Sequence, residues 1–145
     1  MKDVQKLREE TGAGVMDCKH ALDEAKGDIE KARKLISEKG LAKAAKKSGR
    51  ETGAGYLEAY VHGDRIGVLL EVHCETDFVA KNEKFKKLAH ELAMQIAAMN
   101  PKTPEDLLKQ PFIKDNGVEV GNKIKQAIAE LGENIQIERF TRYEI

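Results

Sequence analysis

"EVHCETDFVAKNEKF", residues 71–85, is where the periodicity of the chain changes. Upstream, Ile66, Val68, Leu70, Val72 and Cys74 recur at every second residue, the spacing of a strand with one buried face. Downstream, Phe85, Leu88, Leu92, Ile96 and Met99 recur at helical spacing, with Ala89 and Ala93 beside them. Between the two patterns an acid and a large apolar residue, Asp77 and Phe78, stand side by side. In a chain with four phenylalanines, one spent on a turn needs a reason.

The strand has a partner just before it. Leu57, Ala59 and Val61 alternate with Tyr56, Glu58 and Tyr60, and "HGDR" offers a tight turn at Gly63 and Asp64, so residues 56–74 read as a hairpin with one buried face. After the long helix, the two prolines of "MNPKTP" end the pattern. A second helix is expected over Val120 to Leu131, with Ile124, Ile128 and Leu131 inward and Gly132 following. "ENIQIERFTRYEI" reads as a closing strand with Ile135, Ile137, Tyr143 and Ile145 on one face. Strand, strand, helix, helix, strand gives an α+β core, an antiparallel sheet covered by two helices. A hairpin alone is marginal, so the terminal strand is expected to pair with it.

Residues 1–40 carry three short amphipathic helical patterns. Val4 and Leu7 mark the first, which stops at the turn "TGAG", Thr11 to Gly14. Cys18, Ala21, Leu22 and Ala25 form one face of the second, which ends at Gly27. Asp28 is a good N-cap for the third, whose Ile29, Ala32, Leu35 and Ile36 face inward before Gly40 closes it. Leu41 to Gly55 begins helical and basic, turns polar and glycine-rich, and reads as a linker. The expected division is a three-helix domain over 1–50 and an α+β core over 51–145.

Composition narrows function. Lys plus Arg and Asp plus Glu both number 25, so no net field draws polyanions, and a phosphate-backbone binder would ordinarily be basic. No apolar run approaches the roughly 20 residues that span a bilayer, and "MKDVQKLREE" lacks the apolar stretch of a signal peptide. A cytoplasmic location without membrane association is expected. Cys18 and Cys74 fall on apolar faces and read as buried small hydrophobes, while the four histidines show no metal-ligand spacing. Neither copy of "TGAG" continues as a phosphate-binding motif. Carboxylate pairs are as frequent as chance makes them, so neither a catalytic constellation nor a cofactor site is expected. "KAAKKSGR" groups Lys43, Lys46, Lys47 and Arg50, which could meet RNA or a ribosome, although without interleaved aromatics a solvated helix face is the plainer reading.

That leaves "TDFVA". Thr76 or Asp77 can cap a short turn while Phe78 and Val79 close the core. Equally, a phenylalanine offset from two complete apolar faces can project as an anchor for a partner. Residue chemistry alone leaves these two readings even.

Three motifs in order along the chain, "TGAGVMDCK", "KAAKK" and "CETDFVAKN", followed by "AIAELGENIQIERF", resemble the translation elongation factor Ts family over nearly all 145 residues. The resemblance implies a guanine nucleotide exchange factor, not an enzyme, that binds the GTPase elongation factor Tu in its GDP and nucleotide-free forms and promotes GDP release. It implies that residues 1–50 are a ubiquitin-associated-like bundle contacting the GTPase around Arg8, Val15 and Met16. It further implies that Thr76, Asp77, Phe78 and Val79 form the segment that displaces the partner's magnesium, with Asp77 and Phe78 at the tip. The bundle, on a semi-flexible linker, would raise the local concentration of that wedge. Many members carry a longer core of two related halves, whereas Asn100 to Gly117 is all that separates the core helices here, which suggests a homodimer. An adaptor acting through the bundle alone is a further alternative.

Overall fold

A computed structural model describes residues 1–145. Three helices come first: α1 (Lys2–Thr11), α2 (Val15–Glu24) and α3 (Ile29–Lys47). Gly12 ends α1 in left-handed backbone, φ 71°, with its N–H donating to the carbonyl of Arg8, a conformation that favours glycine. Asp28 caps α3 as expected, its side chain accepting from the Lys31 N–H. Leu7, Cys18, Ala21, Leu22, Ala25 and Ala32 make the small core of this bundle.

The hairpin is β1 (Ala54–His62) and β2 (Ile66–Cys74), joined at Gly63 and Asp64, both with positive φ, as the tight hairpin turn requires. A one-turn helix α4 (Asp77–Ala80) leads into α5 (Glu83–Met99). Next come α6 (Pro104–Lys109), a small pair β3 (Pro111–Phe112) and β4 (Asp115–Glu119), then α7 (Val120–Leu131) and β5 (Gln136–Glu144). The main sheet is antiparallel in the order β1-β2-β5. Helix α5 lies on β1 and β2, and α7 packs against α5 and α3. A cluster of 20 buried residues, Val68, Leu70, Phe85, Leu92 and Ile96 among them, forms the larger core. Fold class and element order are those expected, with α4, α6 and the β3–β4 pair added.

Three details differ from the sequence reading, each for a physical reason. Helix α3 does not stop at Gly40. It runs to Lys47 because Ala44 is buried in the larger core, where α3 meets α7, so tertiary packing outweighs one weak helix former. The stretch between α3 and β1 accordingly shortens to residues 48–53.

In β1 the inward face is Tyr56, Glu58 and Tyr60, while Leu57, Ala59 and Val61 face out. The hairpin register decides this. Tyr56 pairs with Val72, Glu58 with Leu70 and Tyr60 with Val68, so β1 follows the more apolar face of β2 inward. Glu58 is nearly buried, and His90 Nδ1 lies 3.0 Å from its carboxylate.

In β5, Ile137 pairs with Val72 and Arg139 with Glu71, leaving Glu138 as a bulge. The extra residue reverses the alternation. Ile137, Phe140 and Arg142 therefore turn inward, whereas Tyr143 and Ile145, expected beside Ile135 and Ile137, are exposed. The Arg142 guanidinium donates to the Ala97 carbonyl at the end of α5, through Nε at 3.2 Å and Nη2 at 3.0 Å.

Candidate functional site

The quoted turn is built by capping. Thr76 precedes α4 in extended backbone, and its hydroxyl accepts from the Val79 N–H at 3.4 Å. Asn82 caps α5 in the same way, accepting from the Lys84 N–H at 2.8 Å. Between two caps the chain makes a single turn resting on β1, β2 and α5. Val79 and Ala80 fill the core side of that turn, and the opposite side carries Asp77 and Phe78 into solvent. Phe78 is 82% exposed, whereas Phe85, one helix later, is fully buried. Of the two readings of "TDFVA", the projecting one describes Phe78 and the core-closing one describes Val79.

Beneath the tip, burial and then the nearby Glu133 carboxylate push the Cys74 thiol above its ordinary range. It therefore stays protonated and donates to the Thr76 carbonyl at 3.2 Å. Glu133 also accepts from the Thr76 hydroxyl at 2.7 Å. Sequence reasoning missed Glu133, which lies 57 residues downstream and looks like the polar start of a strand. Only the fold brings it to the tip.

Arg8, Val15 and Met16 are all exposed on the bundle. Arg8 and Val15 line one depression with Val4, Lys19 and Leu22, and Met16 follows Val15 in α2. These three residues share the bundle, while Thr76 to Val79 sit on the core, so the structure groups the candidates into two separate surfaces. Of the basic segment, Lys43 pairs with Asp17 at 3.1 Å, Arg50 with Glu75 at 3.7 Å, and Lys47 donates to the Gly132 carbonyl. Cys18 and Cys74 are buried free thiols. No three His, Cys, Asp or Glu side chains gather as a metal site requires, and no helix is long and apolar enough to cross a membrane.

One further surface was not foreseen. On the outer face of the sheet, Leu57, Ala59 and Val61 lie beside Glu71, Leu69 and Gly67, which in turn lie beside Arg139, Thr141 and Tyr143. Leu57, Val61, Leu69 and Tyr143 are exposed, and Ile145 at the end of the chain is too. Contiguous exposed apolar area of this kind marks an interaction surface.

The family model described as "Elongation factor TS" matches residues 75–145, the stretch that runs from the tip to the last strand. Among curated relatives, elongation factor Ts of Moorella thermoacetica is 44% identical, aligned over 99% of this chain and 93% of its own length. The protein of the same name from Fervidobacterium nodosum is 44% identical over 98% of this chain and 95% of its own. That from Alkaliphilus oremlandii is 42% identical over 98% and 87%. These likenesses place the chain among the translation elongation factors. It belongs to the elongation factor Ts family. The last of these alignments runs over 187 positions against 145 residues here, so at least 42 positions of that relative have no counterpart in this chain.

Proposed function

We propose that this chain promotes GDP release from elongation factor Tu, using the α4 tip as a wedge and the bundle surface around Arg8, Val15 and Met16 as a second grip. The observation that carries the reading is Phe78, a large aromatic held in solvent by a capped turn whose other side is anchored in the core. An exposed ring fixed to a rigid base costs little entropy to dock, which is what an interface anchor needs.

The physical mechanism requires no covalent step. Mg²⁺ demands near-octahedral geometry and bridges nucleotide phosphates to the GTPase, so a small displacement of the elements lining its site removes much of the nucleotide's affinity. Phe78 inserts between such elements, and Asp77, exposed in the same turn, forms the tip with it. Thr76 and Val79 hold the tip from behind. Coupling is reciprocal, so bound GDP weakens the factor by the ratio in which the factor weakens GDP. The activity is exchange by binding alone, carried out in the cytoplasm without nucleic acid or cofactor.

The chain also acts as a homodimer. Each strand of the outer sheet face contributes an exposed apolar side chain, Leu57 and Val61, Leu69, and Tyr143, around the Glu71–Arg139 pair, and the chain lacks at least 42 positions present in a relative whose core is expected to be longer. A second copy covers that face, which a two-fold axis makes self-complementary.

The test is release of fluorescent GDP preloaded on elongation factor Tu. The unmutated chain accelerates release, and Phe78→Ala loses most of the acceleration while remaining folded. No acceleration by the unmutated chain ends the reading.

A further inference from the structure

The turn that closes α7 touches three parts of the chain at once. Gly132 caps α7 in left-handed backbone, and its carbonyl accepts from Lys47 Nζ, at the last residue of α3, at 3.0 Å. Glu133 Oε1 accepts from the backbone N–H groups of Glu75 at 3.1 Å and Thr76 at 2.9 Å, and Oε2 accepts from the Thr76 hydroxyl. Asn134 is buried. Its amide donates to the carbonyls of Ser48 at 3.4 Å and Arg50 at 2.9 Å, and its backbone N–H donates to Glu75 Oε2 at 2.7 Å. Arg50 closes the ring by pairing with that same carboxylate oxygen.

This arrangement exceeds what α7 needs for its own ending, which the Gly132 N–H already secures by donating to Ile128. A helix of four residues, by contrast, cannot hold its own direction. Its orientation is set by Val79 and Ala80 packed in the core and by the residues entering it, and those residues, Glu75 and Thr76, are the ones Glu133 grips.

We propose that Glu133 and Asn134 are positioning residues for the wedge: Glu133 fixes the direction of α4, and Asn134 ties residues 48–50 to the same point. The tip and the end of α3 then share one reference, so the wedge and the bundle meet a partner in fixed relation. The consequence for exchange rests on the function proposed above, whereas the brace itself does not.

Two measurements on Glu133→Ala and Glu133→Gln decide it. In the isolated full chain, amide hydrogen exchange of residues 75–80 rises about ten-fold in Glu133→Ala, with α5 and β2 unchanged. In GDP release from elongation factor Tu, the half-saturating concentration stays within about two-fold and the maximal rate falls about ten-fold. Glu133→Gln recovers most of both, because its side-chain carbonyl can still accept the two backbone N–H groups. Unchanged amide exchange at the tip overturns the proposal, as does loosening spread through the whole core or a glutamine variant as impaired as the alanine one. Should the unmutated chain release no GDP, the exchange reading fails, and the amide measurement still decides the brace.

Discussion

Phe78 and Val79 are neighbours with opposite surroundings: the ring is 82% exposed and the valine 4%. Their substitution should separate function from stability. Phe78→Ala removes no buried contact and should change unfolding free energy by less than about 0.5 kcal/mol. Val79→Ala leaves a small cavity and should cost about 1 to 2 kcal/mol. Urea denaturation of both variants, set beside GDP release, checks this. Phe78→Ala should be stable and slow, and Val79→Ala weakened in stability.

Leu69 sits on the central strand, exposed, with Ala59 on one side and Thr141 on the other. Leu69→Lys puts a charge in the middle of the proposed dimer face without touching the core. Sedimentation should show the unmutated chain at twice the monomer mass and the variant at the monomer mass, with far-ultraviolet circular dichroism unchanged. A monomeric unmutated chain would remove the second copy from the mechanism.

Gly40 offers a stability test of a different kind. It lies inside α3 without positive φ, and an added Cβ would meet Ala129 Cβ at 3.6 Å, an ordinary contact. Gly40→Ala should therefore raise unfolding free energy by about 0.5 to 1 kcal/mol through helix propensity and a less flexible unfolded chain. A lower urea midpoint would mean that the helix breaks at Gly40 after all.

His73 first, and then Arg139, hold the Glu71 carboxyl below the usual range. A carboxylate lowered on folding stabilises the folded state above its unfolded pKa, and that contribution is lost as pH falls through the folded one. The contribution of Glu71 is thus complete above about pH 4.5 and fades in more acid solution. Denaturation midpoints of the unmutated chain and Glu71→Gln should differ at pH 7 and converge as the solution is made progressively more acid.

Much of this was legible in the residues. The hairpin, α5 and α7 announce themselves because each repeats a period long enough to outweigh its exceptions. What stayed hidden depends on pairing between distant segments. Glu138 looks like any strand residue until Val72 and Glu71 define a register around it, and the reversal of Tyr143 and Ile145 follows from that one bulge. Leu57 and Val61 are more apolar than Tyr56 and Glu58, yet the hairpin turn commits β1 to follow Val68, Leu70 and Val72. At the tip, Asp77 and Phe78 could be singled out by composition, whereas Glu133 could not, since its partner lies across the fold.

The uninterrupted run of α3 alters what the two proposed contact surfaces could do. Nineteen helical residues make a shaft of about 28 Å, anchored in the small core at one end and the large core at the other. A loose tether would tolerate partners of many widths. Under the function proposed above, a shaft behaves like a calliper locked at one opening, accepting only a GTPase whose two contact points match its span. One residue inserted after Leu41 would slide the jaw by about 1.5 Å and swing it by about 100°. Such a chain would keep both surfaces intact and still be unable to close them on the same partner.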